Sequence, residues 1–118
     1  MAPVFLVPET TTHTGGEGAA TALGDAPPAS VMVTLGLTHV IEQEALTVSV
    51  QGSSDGSNWA APALVSFPQK FYTGVSSVFI DLSKHSDIRF LRAVWKAQRW
   101  GRGNKTPTFT FYVFAEPA

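Results

Sequence analysis

The feature that most constrains the fold of this chain is a strict alternation of apolar and polar residues in two nearby segments. Every second residue is Val or Leu over residues 31–37, and the same spacing returns over residues 46–50. Because successive side chains of a β-strand point to opposite faces, each segment is expected to bury one face and expose the other. No stretch of ten or more residues keeps a helical apolar stripe free of Gly, Pro and β-branched residues.

Turn signals divide the rest of the chain into further short strands. We predict strands over residues 63–67, 70–73, 77–82, 88–97 and 106–115. Asp55-Gly56 is typical of a tight turn, because Gly accepts positive φ and Asp bonds to its own backbone. A calcium loop needs several carboxylates, and Asp55 is the one charged residue of residues 53–59. The pattern predicts an all-β, single-domain antiparallel β-sandwich of jelly-roll or immunoglobulin-like type, with seven or eight strands.

The predicted core collects the inward-facing side chains of these strands. A chain of 118 residues, of which 14% are charged against roughly a quarter in average proteins, suits one packed domain. The chain has no Cys, which excludes disulfides and thiolate metal sites, and we expect neither a cofactor nor a metal. The predicted core residues are Val33, Leu35, Leu37, Leu46, Val48, Val50, Trp59, Val78, Ile80, Leu82, Leu91, Ala93, Trp95, Phe109, Phe111 and Val113.

The first 30 residues lack the alternation seen later. Residues 9–30 are rich in Gly, Thr, Ala and Pro, which predicts a long loop with one short strand near residues 20–23. We therefore divide the chain into an extended N-terminal arm and loop, residues 1–30, and a β-sandwich domain, residues 31–118. The arm is expected to add as a strand to the sheet edge of a neighbouring subunit, with Phe5 and Val7 in the contact.

Charge is separated along the chain. The first 69 residues contain six acids and no Lys or Arg, whereas the remainder contains all eight bases and three acids. The two halves thus carry −6 and +5, which gives the net charge of −1. Either strands of both halves interleave and mix these charges, or acidic and basic faces persist and meet between neighbouring subunits.

One segment, residues 96–105, combines four bases with a Trp. Three interpretations are open: a protein interface, a solvated loop with Trp100 against the sheet edge, or a site for nucleic acid or glycan. A net charge near zero argues against a dedicated nucleic-acid binder. A glycan site would use Trp100, Tyr72 and nearby bases. The candidate interaction residues of this segment are Arg99, Trp100, Arg102 and Lys105.

Catalytic signatures are sparse. The three imidazoles, His13, His39 and His85, are far apart in sequence. No Gly-x-Ser-x-Gly, His-x-x-x-His or phosphate-loop motif is present. We therefore predict that the protein is not an enzyme. A small hydrolase or lyase would require at least two of the imidazoles to converge.

Three motifs follow one another in the second part of the chain. They are residues 46–59, which end in Ser-Ser-Asp-Gly-Ser-Asn-Trp, residues 88–95, which contain Arg-Phe-Leu-Arg, and residues 107–113, which begin with Pro-Thr-Phe-Thr-Phe. This order resembles small β-sandwich proteins of tailed bacteriophages and prophages, which are taken as head or tail accessory components. The first two motifs also resemble discoidin-type sugar- and lipid-binding jelly rolls, which are longer. The resemblance concerns the part of the chain from residue 31 onward, and no functional residue is carried over from either family.

The phage resemblance implies a non-enzymatic structural or interaction protein of a virion, either decorating a capsid or placed at a head–tail or tail position. We expect a homo-oligomer, with a trimer favoured, and the major capsid or tail protein as a further partner. The expected location is the virion, assembled in the host cytoplasm, or otherwise the cytoplasm. We expect no membrane partner, because no apolar run approaches the length of a membrane span. The alternative function is a carbohydrate-binding β-sandwich module.

Overall fold

The computed structural model of the protein describes residues 1–59, 62–100, 103 and 105–118. These residues form β-strands joined by loops and by one 3-10 helix at Leu82–Lys84. No helix in this part of the chain is long and apolar enough to cross a membrane. The strands, in chain order, are β1 (Val4–Thr12), β2 (Gly16–Glu17), β3 (Thr21–Ala22), β4 (Ser30–Val40), β5 (Glu44–Ser53), β6 (Val65–Ser66), β7 (Gly74–Asp81), β8 (Phe90–Arg99) and β9 (Phe109–Pro117).

The strands form two antiparallel sheets that pack face to face, which confirms the predicted all-β sandwich. One sheet has four strands in the order β1-β9-β4-β7. The other has the order β2-β8-β5-β6, and β3 also pairs with β8. The described residues form nine strands rather than seven or eight, because β1 and β2 lie in the segments predicted as arm and loop, whereas the predicted strand over residues 70–73 is a single bridge at Lys70.

The core lies between the two sheets, on the faces that the alternation predicted. Residues at every second position of β4, β5 and β9 are almost completely buried. Three predicted core residues, Trp59, Val78 and Trp95, are only partly buried. Trp59 lies on the outer side of the five-stranded sheet, where the Arg92 guanidinium is 4.4 Å from the centre of its ring. The buried apolar residues that the pattern missed are Leu6, Val7, Leu23, Val31, Ala45, Phe67, Ile88 and Ala115.

The N-terminal segment differs from the predicted arm. Residues Val4–Thr12 form an edge strand that pairs antiparallel with β9 of the same chain. The first 30 residues therefore include a strand of the sandwich, and the predicted boundary at residue 30 does not separate an arm from it. Leu6 and Val7 are buried in the core. Val7 therefore packs inside its own chain instead of facing a neighbour. The pairing satisfies backbone groups of β9 that an absent β1 would leave without partners. The short strand expected near residues 20–23 is confirmed as β3.

One charged side chain, Glu44, is buried at the start of β5 with 1% of its surface exposed. Its Oε2 accepts a hydrogen bond from the backbone N–H of Ile41 at 2.9 Å, and its Oε1 accepts one from Thr108 at 2.7 Å. The first bond closes the turn between β4 and β5, in which Gln43 has a positive φ of 57°. The second ties this turn to the segment that leads into β9. Glu44 thus joins the two sheets at one end of the sandwich.

The predicted turn at Asp55 is confirmed. Its Oδ1 accepts hydrogen bonds from the backbone N–H groups of Ser57 and Asn58, each at 2.8 Å, and its Oδ2 accepts one from the Asn58 amide at 2.7 Å. Together these donors hold the pKa of Asp55 well below its ordinary value. The backbone N–H of Asn58 makes the largest contribution. Both carboxylate oxygens are therefore engaged by the turn itself.

Replacing Glu44 by Ala is expected to destabilise the fold by about 2–4 kcal/mol. The substitution leaves two backbone donors without their charged acceptor, and each such bond contributes about 1.5–3 kcal/mol. Chemical denaturation of both proteins measures the difference. Glu42→Ala, two residues away at a side chain that is 85% exposed, is the matched control and should change stability by less than about 0.5 kcal/mol. Equal losses in the two variants would contradict the assigned role of Glu44.

Replacing Asp55 by Asn is expected to remove a pH-dependent part of the stability. Because the pKa of Asp55 is lowered by folding, the ionised carboxylate stabilises the protein above its unfolded pKa, about 4, and this contribution is lost as the pH falls below that value. Unfolding midpoints of wild type and Asp55→Asn should therefore differ most near neutral pH and converge in acid. Asp25→Asn, at another exposed carboxylate, is the control. A gap that stays constant with pH would show that the turn does not depend on ionised Asp55.

Candidate interaction surfaces

The outer face of the four-stranded sheet carries large apolar side chains on both sides of a Thr34–Ser77 hydroxyl pair. Strand register places Phe5 beside Phe114 and Met32 beside Phe79, and Gly36 lies between Val75 and Tyr112. Phe79 is 63% exposed, Val75 67% and Phe5 49%, whereas outer sheet faces in contact with water normally carry polar residues. We call this surface the apolar face. It consists of Phe5, Met32, Val75, Phe79, Tyr112 and Phe114.

Ring packing makes part of the apolar face continuous. The Phe5 ring centre lies 4.9 Å from that of Phe114 and 5.9 Å from that of Tyr112. Tyr112 covers Gly36 so closely that a Cβ at residue 36 would lie 2.0 Å from the Tyr112 ring. Only Gly allows this approach, and it lets the Tyr112 ring lie along the sheet. A contiguous exposed apolar surface of this kind marks an interaction site.

Charge differs between the two sheets. The strands β1, β4, β7 and β9 contain three acids, Glu9, Asp81 and Glu116, and no Lys or Arg. The bases that occur in strands are all in β8 of the other sheet. There Arg92 pairs with Glu17 at 3.3 Å and donates to Gln51 at 2.8 Å. Strands of both halves of the chain therefore interleave in each sheet, and Glu17 of the acidic half pairs with Arg92 of the basic half.

A second surface lies at the end of the sandwich where β4 turns into β5. Phe71, Tyr72 and Trp100 stand together there, and we call them the aromatic ridge. The Phe71 ring meets Trp100 edge-on at 6.2 Å between ring centres and lies 6.5 Å from the ring of Tyr72. Trp100 is 44% exposed, Phe71 42% and Tyr72 81%. Two clefts, each of about 380 Å³, open on either side of Phe71 and Tyr72.

The predicted interaction residues are placed in different parts of the molecule. Trp100 belongs to the aromatic ridge, and Arg99 lies next to it with a guanidinium nitrogen 3.8 Å from the Glu42 carboxylate. Lys105 is exposed. Arg102 lies outside the described residues, and Phe5 is part of the apolar face on the outer surface of the sheet. The basic segment and the N-terminal strand therefore contribute to separate surfaces.

The two surfaces include residues that the sequence analysis missed. Phe79 stands between Val78 and Ile80, and such an unbroken apolar run is typical of a strand with apolar side chains on both faces. That signal would have identified the outer position of Phe79. Phe71 carried no comparable signal, because its segment forms a single bridge at Lys70 instead of the predicted strand.

The three imidazoles are divided between the ends of the sandwich. His13 Nδ1 lies 3.2 Å from both the Pro107 carbonyl oxygen and the Thr108 hydroxyl, near the start of β9. His39 is exposed near the end of β4, whereas His85 follows the 3-10 helix beside the start of β4. About nine residues of β4, or roughly 30 Å, separate His39 from the end of the strand where His85 lies. No group of three or more His, Asp or Glu side chains among the described residues is arranged to hold a metal ion.

Comparison with known proteins adds information about the fold. No family model matches the sequence, and no curated protein matches it. The crystal structure of the SPBc2 prophage-derived protein YomS is similar to this chain, with a TM-score of 0.52 and 8% sequence identity. The similarity covers 98% of this chain and 95% of that chain, so it includes the N-terminal strand. At this level of identity the likeness concerns the fold alone, and the chain shares its fold with a prophage-derived protein.

Proposed function

We propose that the protein is a non-enzymatic structural component of a phage or prophage particle that self-associates through its apolar face. The observation that carries the proposal is the exposure of large apolar side chains, led by Phe79 and Val75, on the outside of a sheet whose strands contain no Lys or Arg. Exposed apolar surface of this extent favours burial against a partner. The shared fold with a prophage-derived protein supports a phage-related role.

The partner we assign to the apolar face is a second copy of the same chain. An apolar surface packs most favourably against another apolar surface, and the same face of a second copy offers one. The outer face of the five-stranded sheet is polar, with Thr47, Ser49 and Gln51 along β5. The acids at the ends of β7 and β9, Asp81 and Glu116, would form the polar rim of such an interface.

The number of subunits depends on how the apolar faces of neighbouring copies meet. Two copies stack their apolar faces across a two-fold axis, whereas three copies place them around a common three-fold axis. We propose the trimer, with capsid decoration or a head–tail or tail position as its place on the particle and the major capsid or tail protein as its neighbour. Strand β1 is already paired with β9 of its own chain, so this assembly does not require strand exchange.

Replacing Phe79 by Lys is expected to shift the protein from oligomer to monomer and to raise the dissociation constant by at least tenfold. The substitution places a charge at a position that the proposed interface buries, and desolvating an unpaired charge is strongly unfavourable. Native mass spectrometry gives the number of subunits, and sedimentation equilibrium gives the dissociation constant. Circular dichroism checks that the variant keeps its β-structure.

Gln98→Lys is the matched control, because Gln98 is exposed on β8 and the substitution adds the same charge to the other sheet. It should leave the subunit number unchanged. A wild-type protein that remains monomeric at sub-millimolar concentration would contradict the proposal, and so would a Phe79→Lys variant that associates like wild type. A stable dimer would keep the apolar face as the interface and replace the three-fold assembly by a two-fold one.

A further inference from the structure

We propose that the aromatic ridge is a carbohydrate-binding site that takes a neutral oligosaccharide, with sugar rings stacked on Tyr72 and Trp100. The three ridge residues are distinct from those of the apolar face, although Val75 of that face also lines one of the two adjoining clefts. The inference is therefore tested with variants of the ridge residues, which lie outside the apolar face. It assigns a ligand to the end of the sandwich, whereas the proposed interface uses the outer face of one sheet.

Exposure of the three aromatic rings is the first support. Tyr72 is 81% exposed, although an aromatic side chain in a packed protein normally buries most of its surface. Phe71 meets Trp100 edge-on, which fixes the two rings relative to each other. Exposed aromatic side chains offer flat apolar surfaces, and the C–H face of a sugar ring is a flat apolar surface of similar size. A sugar residue can therefore stack on the ridge and still keep its hydroxyls in water.

The shape of the surface fits a chain of sugars better than a single small molecule. One cleft is lined by residues 40–44 together with the ridge, and the other by residues 69–76 with Leu35 and Leu37. Each has a volume of about 380 Å³, within the range of small-ligand sites, which is roughly 300–1,000 Å³. Because Phe71 and Tyr72 line both clefts, an extended ligand can cross the ridge and occupy the two clefts with successive units.

The polar groups around the ridge favour an uncharged ligand. Glu42 and Gln43 line one cleft, and Gln69 and Lys70 line the other, which offers both acceptors and donors to sugar hydroxyls. The exposed Glu42 carboxylate lies 3.8 Å from the Arg99 guanidinium, so the negative and positive charges offset each other at the opening of the first cleft. The charge pattern thus favours a neutral saccharide over a nucleic acid.

The backbone that carries the ridge is held in place before any ligand binds. Lys70 exchanges two backbone hydrogen bonds with Leu46, at 2.8 and 2.9 Å, directly before Phe71. The backbone N–H of Trp100 donates to the Gln43 carbonyl at 2.9 Å. Glu44 closes the same turn from inside the fold. A rigid site loses little conformational entropy on binding, which increases the affinity for a given set of contacts.

The test begins with full-length wild-type protein on an array of immobilised neutral oligosaccharides, including glucans, galactans and N-acetylglucosamine polymers. The best soluble ligand is then titrated by calorimetry. We expect binding, and we expect Tyr72→Ala and Trp100→Ala each to raise the dissociation constant by about tenfold or more, because each removes a stacking surface. Tyr72 is so exposed that its substitution should leave the fold intact, which circular dichroism verifies.

Phe79→Lys is the control that separates the two proposals. Phe79→Lys should alter the subunit number and keep the saccharide affinity of each site. Tyr72→Ala should keep the subunit number and weaken saccharide binding. Failure to bind any neutral saccharide on the array would overturn the inference while leaving self-association unaffected. Equal affinities of wild type and Tyr72→Ala would also overturn it. A poly-dT oligonucleotide serves as the competing probe, and binding to it in place of saccharide would assign the ridge to nucleic acid instead.

Discussion

The position of β9 between β1 and β4 is the constraint on which both the core and the proposed interface depend. Its backbone is hydrogen-bonded on both edges, so the strand is held along its whole length. Its inward side chains, among them Phe109 and Phe111, are completely buried between the sheets. Its outward side chains, Tyr112 and Phe114, build the centre of the apolar face. A central strand that is apolar on both sides is typical of a sheet covered on both faces. A second copy of the chain would supply the missing cover.

At the turn between β4 and β5, one buried carboxylate connects the stability of the fold with the shape of the cleft beside the aromatic ridge. Glu44 is buried because it satisfies two backbone N–H groups, one in the turn and one before β9. The same turn forms a wall of one cleft beside the aromatic ridge and accepts the backbone hydrogen bond of Trp100. Local stability and the shape of the cleft therefore rest on the same hydrogen bonds. The ridge lies on a rigid part of the scaffold, as a preorganised site requires.

Parts of the fold and of the candidate surfaces were predictable, and the exceptions have physical reasons. The alternation located β4, β5 and most of the core, because it depends only on neighbouring residues. It missed β1, which contains Pro8 and two irregularities of register, so its apolar residues do not alternate cleanly. Trp100 and Tyr72 were identified as candidates from residue type alone. Their meeting with Phe71 depends on the bridge between Lys70 and Leu46, which no local pattern reveals.

The sequence by itself determined the fold class, the turn at Asp55 and the inward faces of the long strands. These follow from side-chain periodicity and turn chemistry, which act over a few residues. Three features depend on tertiary packing: β1 pairs with β9, Glu44 and not Glu42 is buried, and the four strands of one sheet contain no Lys or Arg. Periodicity separates the two faces of a strand. It does not specify which strand lies alongside or what covers the outer face, because both depend on contacts between residues distant in sequence.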